Sequence, residues 1–379
     1  MKNNKVVHAV TVSESLIFLK NYAQHMRGND IEYIVSCNPD SNAENWCKQE
    51  KVTFLPVSMV RVPSLLNDLK SLYQCIRKLQ TIKPLIVNAG TPKAGLIFML
   101  SAWFLRVPYR IYHVRGYRHE SLSGIKKRIQ IFIERLCGVL ATDVLMESQS
   151  LKDFAVQEHL FNSKKMFSIG LGSSGIEVKN FNSNINKDSN TQALKVGFLG
   201  RLIPRKGIEE LVGAWRILER KYPDISLMIA GEDDLNQKLS NKFHKDLSNC
   251  SRVKSLGKLE YSEVPEFMNQ IDLFVLPAHW EGFGNVLVEA AAAGLPVIST
   301  HANGTKNAVN NFVNGSLVPP KDIDSLVNAI QMYIEVPSLL EYHSKNGPDW
   351  ARQFDRDLVA SLFSEYYYLL ITKHNNGEK

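Results

Sequence analysis

Two short segments in the second half of the chain concentrate residue types suited to holding an anion. The first, Gly200-Arg201-Leu202-Ile203-Pro204-Arg205-Lys206-Gly207, follows an apolar run of strand length, Lys195–Leu199. Gly200 permits a tight turn at the strand exit, and Arg201 and Lys206 share the loop. A helical pattern starting near Ile208 aims its N-terminus at the same space. Two cations beside a helix dipole make a diphosphate clamp. A solvated basic loop explains these residues equally well, and this segment alone does not choose between the two.

The second segment is more specific. After the apolar run Leu273–Leu276 comes Pro277-Ala278-His279-Trp280-Glu281-Gly282-Phe283-Gly284-Asn285-Val286-Leu287-Val288-Glu289-Ala290, with Gly294 and Pro296 beyond. This reads as a strand, a glycine-bearing loop and an Ala-rich helix that Gly294 and Pro296 terminate. Loop N–H groups and the helix N-terminus form an anion-binding nest. Glu281 in the loop and Glu289 one turn inside the helix would accept hydrogen bonds from sugar hydroxyls on either side of it. Glu289 lies too deep for a capping box with Asn285. On its own it is also an ordinary helix-face residue.

The elements that must position these loops follow a regular rhythm. Short apolar runs such as Val6–Val12, Ile31–Cys37, Leu85–Ala89, Tyr109–Val114, Ser226–Ala230 and Pro296–Ser299 alternate with segments of helical period. Alternation of this kind predicts parallel sheets covered by helices, and ligands of such sheets sit beyond the carboxyl ends of the strands. Asn180 to Gln192 is rich in Asn and Ser and nearly devoid of apolar residues, a linker or exposed loop. The expected organisation is an N-terminal Rossmann-like domain over 1–175 and a polar linker over 176–193. A second Rossmann-like domain follows over 194–353, then a terminal helix and tail over 354–379. The two α/β domains are expected to face a central cleft.

Composition narrows the class. The 379 residues are 44% hydrophobic and 22% charged, which excludes a disordered scaffold or a disulfide knot. The longest nearly apolar stretch, Ala94–Leu105, is too short to span a bilayer. The five cysteines have no CxxC spacing and read as reduced core thiols, which with the lack of a signal-peptide pattern predicts a cytoplasmic protein. Positive charge is lopsided. Residues 1–180 carry 24 Lys and Arg against 14 Asp and Glu, and the remainder 21 against 24. The first half is therefore expected to meet something anionic.

The string Glu281 to Glu289, preceded by Gly200-Arg201 and Lys206-Gly207, resembles the E-x7-E signature and the Arg/Lys pair of glycosyltransferase family 4. Those are GT-B enzymes, mostly retaining and metal-independent, that use nucleotide-diphosphate sugars. The resemblance implies that Arg201 and Lys206 neutralise the leaving diphosphate and that Glu281 contacts hydroxyls of the donor sugar. Backbone amides of Phe283, Gly284 and Asn285 would approach sugar and phosphates, Val286 would pack near the ribose or phosphate, and Glu289 would bind the ribose hydroxyls. The resemblance likewise implies acceptor binding for the domain over 1–175 and nucleotide-sugar binding for the domain over 194–353. No cofactor and no metal is expected. Asp322-x-Asp324 and Asp355-x-Asp357 match a DxD pattern but read as helix-start residues.

In the first half, Met59-Val60-Arg61, Asp68-Leu69, Thr91-Pro92-Lys93-Ala94-Gly95, Val114-Arg115-Gly116-Tyr117-Arg118-His119-Glu120 and Glu134-Arg135 are similar to a bacterial subgroup of that family. Its members build capsule, O-antigen and related surface polysaccharides on polyprenyl-diphosphate carriers. The resemblance thus implies transfer of a UDP-linked hexose or N-acetylhexosamine to a lipid-linked glycan. Lys93, His113, Arg115 and Arg118 become acceptor-binding candidates. Lys93 is also a plausible helix-start residue, and a lone His at a strand end is more often structural. Many family members carry His where Arg115 stands, and the Gly-rich first loop is replaced by Ser13-Glu14-Ser15-Leu16. Gly172-Ser173-Ser174-Gly175-Ile176-Glu177 reads as an interdomain turn without chemistry.

Eight Lys and Arg fall between Arg106 and Arg135, and Ile125, Ile129, Phe132, Ile133 and Leu136 share one helical stripe. Such a helix either lies on an anionic membrane, peripheral to the inner face, or faces the core with a solvated basic side. Two other readings fit the architecture or charge. One is a UDP-sugar 2-epimerase, which needs no acceptor. The other is a nucleic-acid-binding protein, against which the absence of an aromatic stacking platform argues. The oligomeric state is not legible.

Overall fold

The computed structural model describes residues 4–61, 64–181, 194–234 and 237–378, and resolves into two compact units. Met1–Gly175 and Arg356–Lys379 form the first, and Ile176–Asp355 the second. Of the stretch read as a linker, 182–193 lies outside the described residues; Ile176 and Phe181 at its start are buried in the second unit's core.

The first unit is built on seven parallel strands: β1 (Lys5–Ala9), β2 (Glu32–Ser36), β3 (Thr53–Phe54), β4 (Ile86–Gly90), β5 (Tyr109–Val114), β6 (Asp143–Met146) and β7 (Met166–Phe167), in the order β3-β2-β1-β4-β5-β6-β7. The second has six: β8 (Lys195–Leu199), β9 (Ser226–Ala230), β10 (Val253–Gly257), β11 (Leu273–Val275), β12 (Val297–Thr300) and β13 (Gly315–Val318), in the order β10-β9-β8-β11-β12-β13. Each sheet runs outward from its first strand and reverses beside its fourth, the doubly wound pattern. Both are parallel throughout, so neighbouring strands are joined through helices and both faces are covered. That is why strands such as Val6–Ala9 and Ile86–Gly90 are buried along their length instead of alternating.

In the first unit one face of the sheet packs against the helices Leu65–Ile82, Pro92–Phe104 and Gly124–Leu140. The other face is covered by the helices of residues 22–50 and by the terminal helix Arg356–Asn375. That helix buries Val359, Ala360, Phe363, Tyr367, Leu370 and Ile371. The chain thus leaves the first unit, builds the second, and returns to close the first.

Local rules place the helix starts. Asp40 and Asp322 accept from the N–H groups of Ala43 at 2.8 Å and Ser325 at 2.9 Å, each satisfying a first-turn donor. Asp322 is therefore a cap, the helix-start role its sequence suggested. Asp357 lies in the first turn of the terminal helix and accepts from Asn21 and Gln24.

Candidate active site

The strand order of the second sheet reverses between β8 and β11, and the loops that leave those two strands are the ones rich in chemistry. Gly231 has φ +151°, and a Cβ there would come within 1.8 Å of the Gly200 carbonyl oxygen, so the exit from β8 is packed too closely for any side chain. The turn Pro204–Lys206 ends at Gly207, in the left-handed region at φ +72°. A Cβ on Gly207 would sit 1.9 Å from the carbonyl oxygen of Pro277. The two loops are thereby pressed together.

Three further contacts fix the loop pair. The His279 N–H donates to the Arg205 carbonyl at 2.8 Å, and His279 Nε2 meets Glu210 Oε1 at 2.8 Å. The Arg205 guanidinium lies 4.5 Å above the Trp280 ring centroid, a stacking contact that Lys would make less well. Burial pushes the Glu210 carboxyl up, but the hydrogen bonds from His279 and the backbone, with His279 and Lys321 nearby, together outweigh it and hold the group below its ordinary range.

Lys206 and Glu281 meet in this frame, with Lys206 Nζ 2.5 Å from Glu281 Oε1 and both side chains largely buried. Arg205 adds a second cation 3.6 Å from the same oxygen. Glu281 is also held by its backbone, its N–H donating to the Asn303 carbonyl at 2.9 Å. Arg201 departs from the pairing that its spacing suggested. Its Nη1 lies 3.1 Å from Asp234 Oδ2, on the loop after β9, and both side chains are about half exposed. Arg205 and Asp234 were not singled out in the sequence, although Arg205 stands next to Lys206.

The glycine-bearing loop then delivers the helix Asn285–Ala292. Phe283 is buried against Phe354, 5.1 Å between centroids, so only its backbone can approach a ligand. Gly284 at φ +90° is the N-cap and carries no side-chain cap bond. Asn285 is the first helical residue, Val286 packs partly against the core, and Glu289 is buried within the helix. Among the candidates, Lys206, Glu281, Gly284 and Asn285 thus occupy one continuous loop system at the switch point.

In the first unit, Lys93 sits at the start of the helix Pro92–Phe104 with Nζ 2.7 Å from Asp68 Oδ1. His113 and Arg115 share the end of β5, and both meet Glu147, which follows β6. His113 Nε2 is 2.6 Å from Glu147 Oε2, and Arg115 Nη1 lies 3.4 Å from Oε1. Ser174 also donates to Glu147 and accepts from Arg115. Burial drives the His113 imidazole down to about 4, with Arg115 adding to the effect. Burial pushes Glu147 up, but Arg115 and His113 more than reverse this and hold the carboxylate well below its usual range. The trio is a neutral imidazole, a carboxylate and a guanidinium. Ser174, in the turn to which no chemistry was assigned, is part of it. Arg118 is exposed on the next turn and does not join it.

The helix Gly124–Leu140 divides its apolar stripe. Ile125, Ile129 and Phe132 are exposed, whereas Ile133 and Leu136 pack against the core.

Two doubly wound parallel units, with an ion-paired loop and a helix start at the switch point of the second, have the architecture of the GT-B fold. Solved structures agree on that fold. The Anabaena HepE protein crystallised with UDP has a TM-score of 0.77 at 20% identity, covering 96% of this chain and 99% of its own. The lipopolysaccharide outer core galactosyltransferase WaaB has a TM-score of 0.73 at 17% identity, over 96% and 99%. The family described as "Glycosyl transferases group 1" matches residues 180–350. The capsular polysaccharide biosynthesis glycosyltransferase CapM of Staphylococcus aureus is 32% identical over 92% of each chain. A UDP-Gal:alpha-D-GlcNAc-diphosphoundecaprenol alpha-1,3-galactosyltransferase of Escherichia coli is 27% identical over 77% of each. The chain belongs to the glycosyl transferases group 1 family.

Proposed function

We propose that the chain transfers a sugar, with retention, from a nucleotide-diphosphate sugar to a polyprenyl-diphosphate-linked glycan in bacterial surface polysaccharide synthesis. The observation that carries the reading is the Lys206–Glu281 pair at 2.5 Å on two interlocked loops, followed at once by the start of the Asn285–Ala292 helix, whose N-cap is Gly284. A diphosphate arriving there meets the Lys206 ammonium, the Arg205 guanidinium and helix N-terminal amides, with Arg201 nearby in sequence. Glu281, already fixed by Lys206 and its own backbone, offers acceptor oxygens to the donor sugar. Glu289, one turn into the helix, serves the ribose hydroxyls.

Departure of the diphosphate develops negative charge on its oxygens, which those cations and amides stabilise. The leaving diphosphate takes the proton of the acceptor hydroxyl as the new glycosidic bond forms on the same face. In this reading side-chain cations provide the counter-charge, and added chelator leaves the rate unchanged; loss of activity with chelator and its return with manganese would overturn that point. A UDP-linked hexose or N-acetylhexosamine is the expected donor. The lipid-diphosphate acceptor is supported by the activities named for the E. coli relative and for a Campylobacter jejuni diphospho-undecaprenol N-acetylgalactosaminyltransferase, 23% identical over 79% of this chain.

A membrane role rests on a separate observation. Ile125, Ile129 and Phe132 are exposed on one helix, and Leu65, Leu66 and Leu69 on another. Both helices start at the carboxyl edge of the same sheet, and Lys126, Lys127 and Arg128 flank the first group. This arrangement suits an anionic bilayer on the cytoplasmic side.

The test is nucleotide release from a panel of UDP- and GDP-sugars, with and without a diphosphoundecaprenol-linked glycan. Acceptor-dependent release with one donor supports transfer. Release of free nucleotide from a UDP-sugar without acceptor identifies the 2-epimerase reading instead.

A further inference from the structure

The Arg115 side chain, 9% exposed, is held from one side only. Its Nη1 donates to Ser174 Oγ and faces both oxygens of Glu147 at 3.4 and 3.5 Å. The guanidinium carbon lies 5.0 Å from the Phe18 ring centroid. The side chain also runs close to the backbone of β4: a Cβ on Gly90 would stand 2.8 Å from Nε. The other edge of the group, Nε–H and Nη2–H, is buried and has no hydrogen-bond partner among the described residues.

These two donors are parallel and point the same way, the geometry that accepts two oxygens of one carboxylate or phosphate. Leaving both unsatisfied in a desolvated place is costly, since each buried donor without a partner loses its hydration for nothing. Nor does the anchor need them. Glu147 takes the Nη1 side and the His113 Nε2–H, so the carboxylate is fully occupied with holding the group still.

We propose that Arg115 is the anchor of an oxyanion-binding site in the first unit, with Glu147 and Ser174 as positioning residues that keep its Nε/Nη2 edge presented. The ligand is a phosphate or carboxylate oxygen pair. Its natural bearer is the acceptor, through its diphosphate or through an acidic sugar. Only that assignment rests on the transfer reading; the anion site itself does not. Glu147 and Ser174 act through Arg115 and do not touch the ligand.

The site is tested first without turnover. In full-length protein carrying nitrogen-15 arginine, the Arg115 Nε–H resonance, identified by its loss in Arg115→Lys, is followed during titration with inorganic phosphate and separately with acetate. A saturable shift that persists in Lys206→Ala supports the site and separates it from the diphosphate clamp. Saturation by phosphate alone assigns the lipid diphosphate as the source; saturation by acetate as well assigns a carboxylate-bearing sugar. Glu147→Gln weakens binding by about tenfold or more, and Ser174→Ala by a smaller factor. Ser174→Ala, which only removes a hydroxyl, keeps the test usable where Glu147→Gln does not fold. No saturable shift with either anion, or equal affinity in Ser174→Ala and a folded Glu147→Gln, overturns the proposal. In the transfer assay Arg115→Lys raises KM for the acceptor and leaves KM for the donor unchanged; the reverse split overturns the acceptor assignment. Anion binding in a protein that shows no acceptor-dependent release would sink the transfer reading while leaving the site intact.

Discussion

Lys206 is worth most where charge develops and water is scarce. Its side chain is 14% exposed and its ammonium is already set against Glu281, so little reorganisation is needed when a diphosphate takes over part of that charge. Lys206→Ala is expected to lower kcat by about 100- to 1,000-fold. Arg201→Ala also loses turnover, but less, because that side chain is half exposed and paired with Asp234. Initial rates of nucleotide release check both; near-normal rates in the two variants would remove the clamp. The buried histidines give a pH prediction. Burial lowers His113 to about 4 and lowers His8 well below 6.5, so the unfolded chain takes up protons first. The stability they contribute is complete above about pH 6.5 and is lost as pH falls toward about 4. Glu147, held low, adds a loss that begins only below its ordinary value of 4.5. Thermal unfolding between about pH 7 and pH 4.5 should therefore show a falling melting temperature, with a shallower fall in His113→Gln. An unchanged melting temperature across that range would contradict buried, neutral imidazoles.

At the scale of elements, the site depends on two loops being one rigid piece. Gly207→Ala adds a methyl group 1.9 Å from a carbonyl oxygen at a backbone angle that L-residues avoid. It is expected to destabilise the second unit by about 2–4 kcal/mol and to raise KM for the donor, since relief requires the loops to part. Denaturant unfolding and donor kinetics check the two effects separately. The terminal helix is the other element with disproportionate influence. Phe363 contacts the Tyr22 ring at 5.1 Å and lies against His113 at 5.9 Å, so Phe363→Ala opens a cavity beside the polar cluster. A loss of about 3–5 kcal/mol is expected by chemical denaturation. These elements were legible to different degrees. The Ala-rich helix after Glu281 and the strand before it stand where their patterns place them. The helical period of the last residues predicts a docked helix but names no partner for it. Short edge elements such as β3 and β7 are cut to two residues, because only pairing with β2 and β6 defines them.

At the scale of the whole molecule, the surplus of positive charge in the first half acquires a location. Part of it lines the exposed side of the Gly124–Leu140 helix, beside the apolar residues that the core leaves uncovered. Sedimentation with anionic vesicles is expected to capture the protein, and Ile129→Asp with Phe132→Asp to release most of it at an unchanged melting temperature. Neutral vesicles should bind weakly, as each lysine or arginine near an anionic surface contributes about 1 kcal/mol. Equal binding to both vesicle types would place the charge in some other role. No described helix is long and apolar enough to cross a membrane.

Strand and helix alternation, the glycine-bearing loop between Glu281 and Glu289, and the sign of the charge in each half are properties of local order in the chain, and the sequence by itself determines them. Hydrophobic period and turn chemistry act over a few residues. Which cation meets Glu281 is another matter: Lys206 and Arg205 do, and Arg201 turns to Asp234, because that choice depends on how the β8 and β11 loops interlock. The partnership of His113, Arg115, Glu147 and Ser174 likewise joins the end of β5 to segments that follow β5, β6 and β7. Only the folded sheet brings them within hydrogen-bond distance, since side-chain contacts between residues far apart in the chain are fixed by strand order and burial.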